Sequence, residues 1–253
     1  MTGPEYQRGY SKRHEGDIYH EPGRRRKAGK IMSVLEDHYG GGLSNLFVLD
    51  VGCSTGVMDE ALAGNMQGLV GVDIDSDAVK SASVKYPAEN LSFMVQDGTC
   101  LGFKDSSFDA VICSQVYEHT PSADALMSEI HRVLRPGGVC YFAATNRLRL
   151  MEQHYRLPLL SLMPKSLAHV YLRLTGRGGR YYEKHLTLWG LQKLVSDFKV
   201  LDYTGKAVED PVSFGLTDMI RPGTAKQKAA LACLKIAYWL FPGYIWLLVK
   251  PAD

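Results

Sequence analysis

Between residues 45 and 145, five short apolar runs are interleaved with three stretches of helical periodicity. That rhythm confines the chain to a small group of folds. The runs are NLFVLDVG, GLVGVDI, LSFMVQD, FDAVICSQ and VCYFAAT. Each is strand-length and apolar on both sides, as expected of a parallel sheet covered on both faces. The intervening VMDEALAGNM, SDAVKSASVKY and SADALMSEIHRVLRP predict helices. In the last of these Leu126, Ile130, Val133 and Leu134 share the apolar side, and Pro136-Gly137-Gly138 is the stop signal. Strand–helix–strand units of this kind connect right-handedly.

The flanks are less regular. Residues 1–23 predict a polar N-terminal arm without a signal-peptide core, and GRRRKAGKIMSVLEDHYG predicts a helix led by basic residues. The rhythm fails over 146–186, which is expected to form an inserted helical cap within a single domain spanning 1–253. TLWGLQKLVSDF then predicts a helix and KVLDYTGKAV a strand. From Leu231 to Val249 the chain is nearly apolar enough to span a bilayer, but Lys235 and Pro242-Gly243 interrupt it. A helix from about Thr224 to about Phe241, then a buried strand from Tyr244 to Lys250, is the expected outcome.

Composition narrows the partners. The formal net charge is only +2 over 253 residues, so nucleic-acid binding is not expected. The five cysteines show neither paired spacing nor a zinc-like His/Cys cluster. Reduced thiols, a cytoplasmic location and no metal are the expectations.

The strongest local motif is VLDVGCSTG, a strand entering a turn at Gly52 and Gly56 before a helix. Glycine allows positive φ and close approach of a ligand to the backbone. A dinucleotide turn requires GxGxxG; here Ser54 replaces the middle glycine, which would clear room for pyrophosphate. S-adenosyl-L-methionine (SAM) has no phosphate and carries a cationic sulfonium, and Asp50 suits it better. Cys53 belongs to the same turn. Asp73, followed by Ile74, ends the second run, where a carboxylate can accept ribose hydroxyls; Asp75 is the neighbouring candidate, or a helix cap. Asp97-Gly98 ends the third run, where a carboxylate can take the adenine amine, and Ser114-Gln115 ends the fourth. Ligands of open α/β sheets bind outside the carboxyl ends of the strands, so these signals converge.

In these motifs, together with Phe108-Asp109, Glu118-His119 and Leu134-Arg135-Pro136-Gly137-Gly138, the chain resembles the class I SAM-dependent methyltransferases of the small-molecule "type 11" branch. The resemblance covers about residues 45–145, with family-like terminal strands at 197–206 and 244–250. It implies a Rossmann-like three-layer α/β sandwich, with a mostly parallel seven-stranded sheet and an antiparallel last strand. It also implies that His119 is often present in such proteins without acting as a base.

For the acceptor, absences are informative. No Asn/Asp-Pro-Pro-aromatic motif follows the fourth run, no paired-glutamate hairpin is found, and no carboxylate cluster suggests magnesium. His119 and His185 are the candidate bases, with Tyr181 and Tyr182 near the latter. Residues 147–184 hold eight lysines and arginines against two glutamates, interleaved with leucines and tyrosines. That mixture suits a small-molecule, sugar or lipid-linked acceptor methylated on a hydroxyl or carboxyl. It also suits peripheral contact with an anionic membrane face. The alternatives are a nucleotide-dependent oxidoreductase or epimerase, disfavoured by the missing GxGxxG and Tyr-x-x-x-Lys, and a SAM-binding module without catalysis. Oligomeric state is left open.

Overall fold

The computed structural model describes residues 21–252. Helix α1 (Glu21–Tyr39) and a 3₁₀ turn precede β1 (Phe47–Val51), α2 (Val57–Ala63), β2 (Gly68–Asp73), α3 (Ser76–Lys85), β3 (Leu91–Val95) and β4 (Phe108–Ser114). Next come α4 (Ala123–Val133), β5 (Leu134–Thr145), α5 (Lys165–Leu174), α6 (Leu188–Leu194), β6 (Lys199–Asp202), α7 (Thr204–Glu209), α8 (Ala225–Ile236) and β7 (Gly243–Val249). One seven-stranded sheet runs β3-β2-β1-β4-β5-β7-β6. β7 lies antiparallel between β5 and β6, and the pairings of β1 through β5 are parallel.

The strands' period of two divides the core between the sheet's faces. Val111, Cys113, Cys140 and Phe142 face α4 and α6, meeting Leu126, Ile130, Val133 and Leu191. Ala110, Ile112, Val139 and Tyr141 face the opposite layer, meeting Ile31, Leu35, Met58, Leu62 and Ala207 of α1, α2 and α7. Helix α4 is set by its ends: Ser122 accepts from the Ala125 amide at the N-cap, and His131 and Arg132 occupy the last turn. All five cysteines are free thiols, and Cys53, Cys113 and Cys140 are buried.

Several expectations need correction. Of the arm expected at 1–23, residues 1–20 lie outside the described residues, and Glu21, Pro22 and Gly23 begin α1. Leu134 leaves α4 and starts β5, paired with Phe108. Pro136-Gly137-Gly138 ends the helix but stays in the strand, because the Gly137 amide donates to Lys250 O and the Lys250 amide to Gly138 O. The strand expected over 199–208 stops at Asp202, whose Oδ1 accepts from the Thr204 amide at 2.8 Å and turns the chain into α7. The helix from Thr224 ends at Ile236, and a 3₁₀ turn (Tyr238–Leu240) completes the approach to β7. The apolar stretch that resembled a membrane span is thus half helix and half inner strand. No helix among the described residues is long and apolar enough to cross a membrane.

Residues 146–186 contain one α-helix, α5, and a 3₁₀ turn (Leu160–Leu162) rather than several helices. Leu157, Leu160, Ala168, Leu172 and Tyr181 give this segment its own small apolar cluster. It is tied to the sheet by Tyr117, whose buried hydroxyl donates to Thr145 O and accepts from the Leu186 amide.

Leu126 is fully buried at the centre of the α4 layer. Leu126→Ala is expected to lower unfolding free energy by about 2–5 kcal/mol in denaturant titration, with the slope unchanged.

Candidate active site

The site begins at the turn after β1. The amides of Gly52 and Cys53 both donate to Val72 O, at 2.8 and 3.0 Å, which folds the turn onto β2. Gly52, Ser54 and Gly56 have φ of 84, 54 and 73°. A Cβ on Gly52 would lie 2.7 Å from Val116 Cγ2, and one on Gly56 would lie 2.6 Å from the Phe93 ring. Both positions therefore need glycine for space as well as for dihedral angle. Asp73 then locks the turn: its Oδ2 accepts from the Ser54 amide and its Oδ1 from the Asp75 amide, each at 2.9 Å. Asp75 caps α3, accepting from Asp77 and Ala78, which is the capping role considered from sequence.

These elements border a cavity of about 480 Å³ at the carboxyl ends of β1 to β4. Gly52, Ser54, Asp73, Ile74, Asp97, Gly98, Ser114 and His119 line it. Four successive strand ends thus deliver residues to one space. The size suits a small-molecule ligand. Asp50, Cys53, Gly56 and His185, also expected at the site, do not border the cavity. Cys53 is fully buried, and Gly56 serves as the N-cap position of α2 against Phe93.

Asp50 lies behind the wall with a partner that the sequence concealed, Asp59 of α2. The two side chains are 1% and 0% exposed. Burial, and then each carboxyl's proximity to the other, holds Asp50 well above the usual carboxylate range. Burial also raises Asp59. Two carboxyls placed close together in a dry interior cannot both ionise readily, so the pair retains a proton.

Further wall residues were not expected from sequence. Arg24, Lys27 and Lys30 of α1 line the cavity. Lys30 Nζ is 2.9 Å from Asp218. The basic run ahead of a periodic helix was their only signal. The inserted segment contributes Gln153, His154 and Arg156.

His154 stands at the centre of a group of titratable side chains. Its ring meets His119 edge-on at 4.9 Å and stacks with His185 at 6.3 Å. His185 Nε2 lies 3.4 Å from Glu152 Oε1, with side chains 2% and 0% exposed. Glu118 is also buried, and neither carboxylate oxygen has a hydrogen-bond partner among the described residues. Burial pushes its carboxyl up to about 7 against the pull of His185. The base expected at His185 is therefore set behind His154, which borders the cavity in its place. Tyr181 is buried beneath the Lys165 ammonium, 4.2 Å from the ring centroid, and neither it nor Tyr182 reaches the wall.

Comparison with known proteins gives a consistent picture. A family model described as a methyltransferase domain matches residues 49–142. A ubiquinone biosynthesis O-methyltransferase of Coxiella burnetii is 32% identical over 173 residues, covering 64% of this chain and 68% of that protein. One of the same name from Psychrobacter arcticus is 30% identical over 161 residues, covering 62% of this chain and 59% of that protein. The match thus spans less than two thirds of the second relative's length. In fold, the chain is similar to a SAM-dependent methyltransferase from Mesorhizobium loti, with a TM-score of 0.55, 15% identity, and 83% and 93% of the two chains covered.

The Asp50–Asp59 pair predicts a pH effect. Because burial raises these carboxyls, the native state keeps a proton that the unfolded chain releases near its ordinary pKa of 3.8. The associated stability is present below the unfolded value and is lost as pH rises through the raised folded value. Thermal melts of the wild type are expected to lose stability as pH rises from about 4 to about 7, and those of Asp59→Asn to lose less. Parallel curves would contradict a proton retained by the pair.

Proposed function

The chain belongs to the class I SAM-dependent methyltransferases, and from that premise we propose that it methylates a hydroxyl oxygen of a small, apolar acceptor. The observation that carries this reading is the convergence of Gly52, Asp73, Asp97 and Ser114, from four strand ends, on one cavity.

The residues present fit the cofactor. Ser54 borders the cavity, and its buried hydroxyl has no hydrogen-bond partner among the described residues, as expected of a group that a ligand completes. Gly98 borders it as well, and a Cβ there would lie 2.9 Å from Val51 Cγ1. Asp73 with Ile74 is assigned to the ribose, Asp97-Gly98 and Ser114 to the adenine side, and the Gly52–Ser54 turn to the methionine end. Arg24 and Lys27 add the positive charge that the methionine carboxylate requires. Bound there, SAM supplies an electrophilic methyl group on a sulfonium sulfur. The protein holds the acceptor oxygen in line and receives its proton. His119 and His154 are the imidazoles on the wall, their ring centroids 4.9 Å apart, and the proton is assigned to His119.

The relatives' name and the segment that supplies His154 support this acceptor class. Both named relatives act in ubiquinone biosynthesis, which suits a hydroxylated ring with an apolar tail. Helix α5 turns Leu167, Val170 and Leu174 outward, 59, 44 and 82% exposed, and Leu150 is 72% exposed. Arg173, Arg177 and Arg180 are exposed in the same segment. A segment that exposes both apolar side chains and arginines suits the surface of an anionic bilayer, from which such an acceptor would be drawn.

Methyl-labelled SAM incubated with hydroxylated aromatic acceptors is expected to give oxygen-linked label, and Gly52→Ala to weaken SAM binding at least about tenfold, equivalent to about 1.4 kcal/mol. SAM binding without transfer to any hydroxyl acceptor would reduce the protein to a binding module. In co-sedimentation, the protein should follow anionic vesicles but not neutral ones, and the double variant Leu167→Glu/Val170→Glu should stay in solution while still binding SAM. Equal partition into both vesicle types would contradict the membrane contact.

A further inference from the structure

Glu152 and His154 lie just beyond β5, and His185 lies on the stretch that leads into α6. The fold brings one ligand-competent atom from each within 4.8 Å of the others. Two imidazoles and a carboxylate form a donor set typical of zinc. The spacing of the inner pair agrees with this. At 3.4 Å, His185 Nε2 and Glu152 Oε1 make only a long hydrogen bond, a separation that two ligands of one ion also adopt. Two ligand atoms on a tetrahedral ion, with bonds of about 2.0–2.1 Å, stand about 3.3 Å apart.

The charge around the three side chains points the same way. Glu118 and Glu183 are buried nearby, each 1% exposed, and Glu118 lies close enough to interact electrostatically with both His185 and Glu183. Neither Glu118 oxygen has a hydrogen-bond partner among the described residues. A buried carboxylate in that state is costly unless a cation lies close to it.

We propose that Glu152, His154 and His185 bind one divalent transition-metal ion of the zinc class. Glu118, His119 and His154 form a second set within the same 4.8 Å limit. The first set is preferred because its two inner ligands are already at ligand spacing and shielded from water, while Glu118 is placed to offset the ion's charge. Of the three ligands, only His154 borders the cavity. An ion held there sits against the acceptor side of the wall, where it could draw an acceptor hydroxyl toward its ionised form. The site could not be read from sequence, since its ligands are spread over 34 residues, from Glu152 to His185, with no metal-binding spacing.

The test is direct metal binding by the full chain. Protein stripped with chelator is titrated with zinc(II), and separately with cobalt(II), whose visible absorption reports tetrahedral coordination. The expected result is one ion per chain with a tetrahedral cobalt spectrum, and a zinc-dependent rise in melting temperature. His154→Ala and Glu152→Gln should each weaken binding by at least about 100-fold. His154 is partly exposed, so its variant keeps the test valid if a change at buried His185 prevents folding; circular dichroism checks each variant. No binding by the wild type would overturn the proposal. So would retained binding in His154→Ala, or loss in His119→Ala with retention in Glu152→Gln. Binding of SAM by the same samples is scored separately. Zinc without SAM would remove the proposed function and leave the metal site, and SAM without zinc would do the reverse.

Discussion

A single carboxylate joins the two halves of the cavity wall at the ends of β1 and β2. Asp73 ends β2, yet its oxygens accept amides from Ser54, in the turn after β1, and from Asp75, at the start of α3. The turn could not keep three left-handed residues in five positions without such an anchor, because Ser54 is not a glycine and bears the strain of that conformation. The Gly52 and Cys53 amides reinforce the link through Val72 O. With the turn and β2 locked together, Gly52, Ser54 and Asp73 face one cavity as a rigid unit, and Asp97, Gly98 and Ser114 complete its wall.

The core makes that rigidity possible. Alternate residues of β4 and β5 enter opposite cores, so the central strands are covered on both faces. Inserting β7 antiparallel between β5 and β6 extends the sheet and carries the chain's last apolar stretch inside. The inserted segment is different in kind. It has its own small core, is bound to the sheet through Tyr117 and the Arg147–Leu186 backbone contact, and brings His154 to the wall.

Where local pattern governs structure, the sequence could be read closely. The five parallel strands, the glycine turn and Asp73, Asp97 and Ser114 all follow from short apolar runs and the residues that end them. The misread places depended on contacts distant in sequence. The stretch after Asp202 looks like a strand until the Asp202–Thr204 bond turns it into α7. Asp59 looks like an ordinary acidic residue in a first helical turn, but the fold buries it completely beside Asp50. His185 was visible as a histidine near the acceptor side, but the fold sets it behind His154. His154 itself carried no signal, because its neighbours His119, Glu152 and His185 gather only in three dimensions.

The central claim is that this Gly52–Gly56 turn, without a dinucleotide glycine at Ser54, selects SAM. Isothermal titration of the purified full chain with SAM and, separately, with NAD tests it most directly. The account predicts saturable binding of one SAM per chain and no NAD binding. NAD binding in the absence of SAM binding would contradict it.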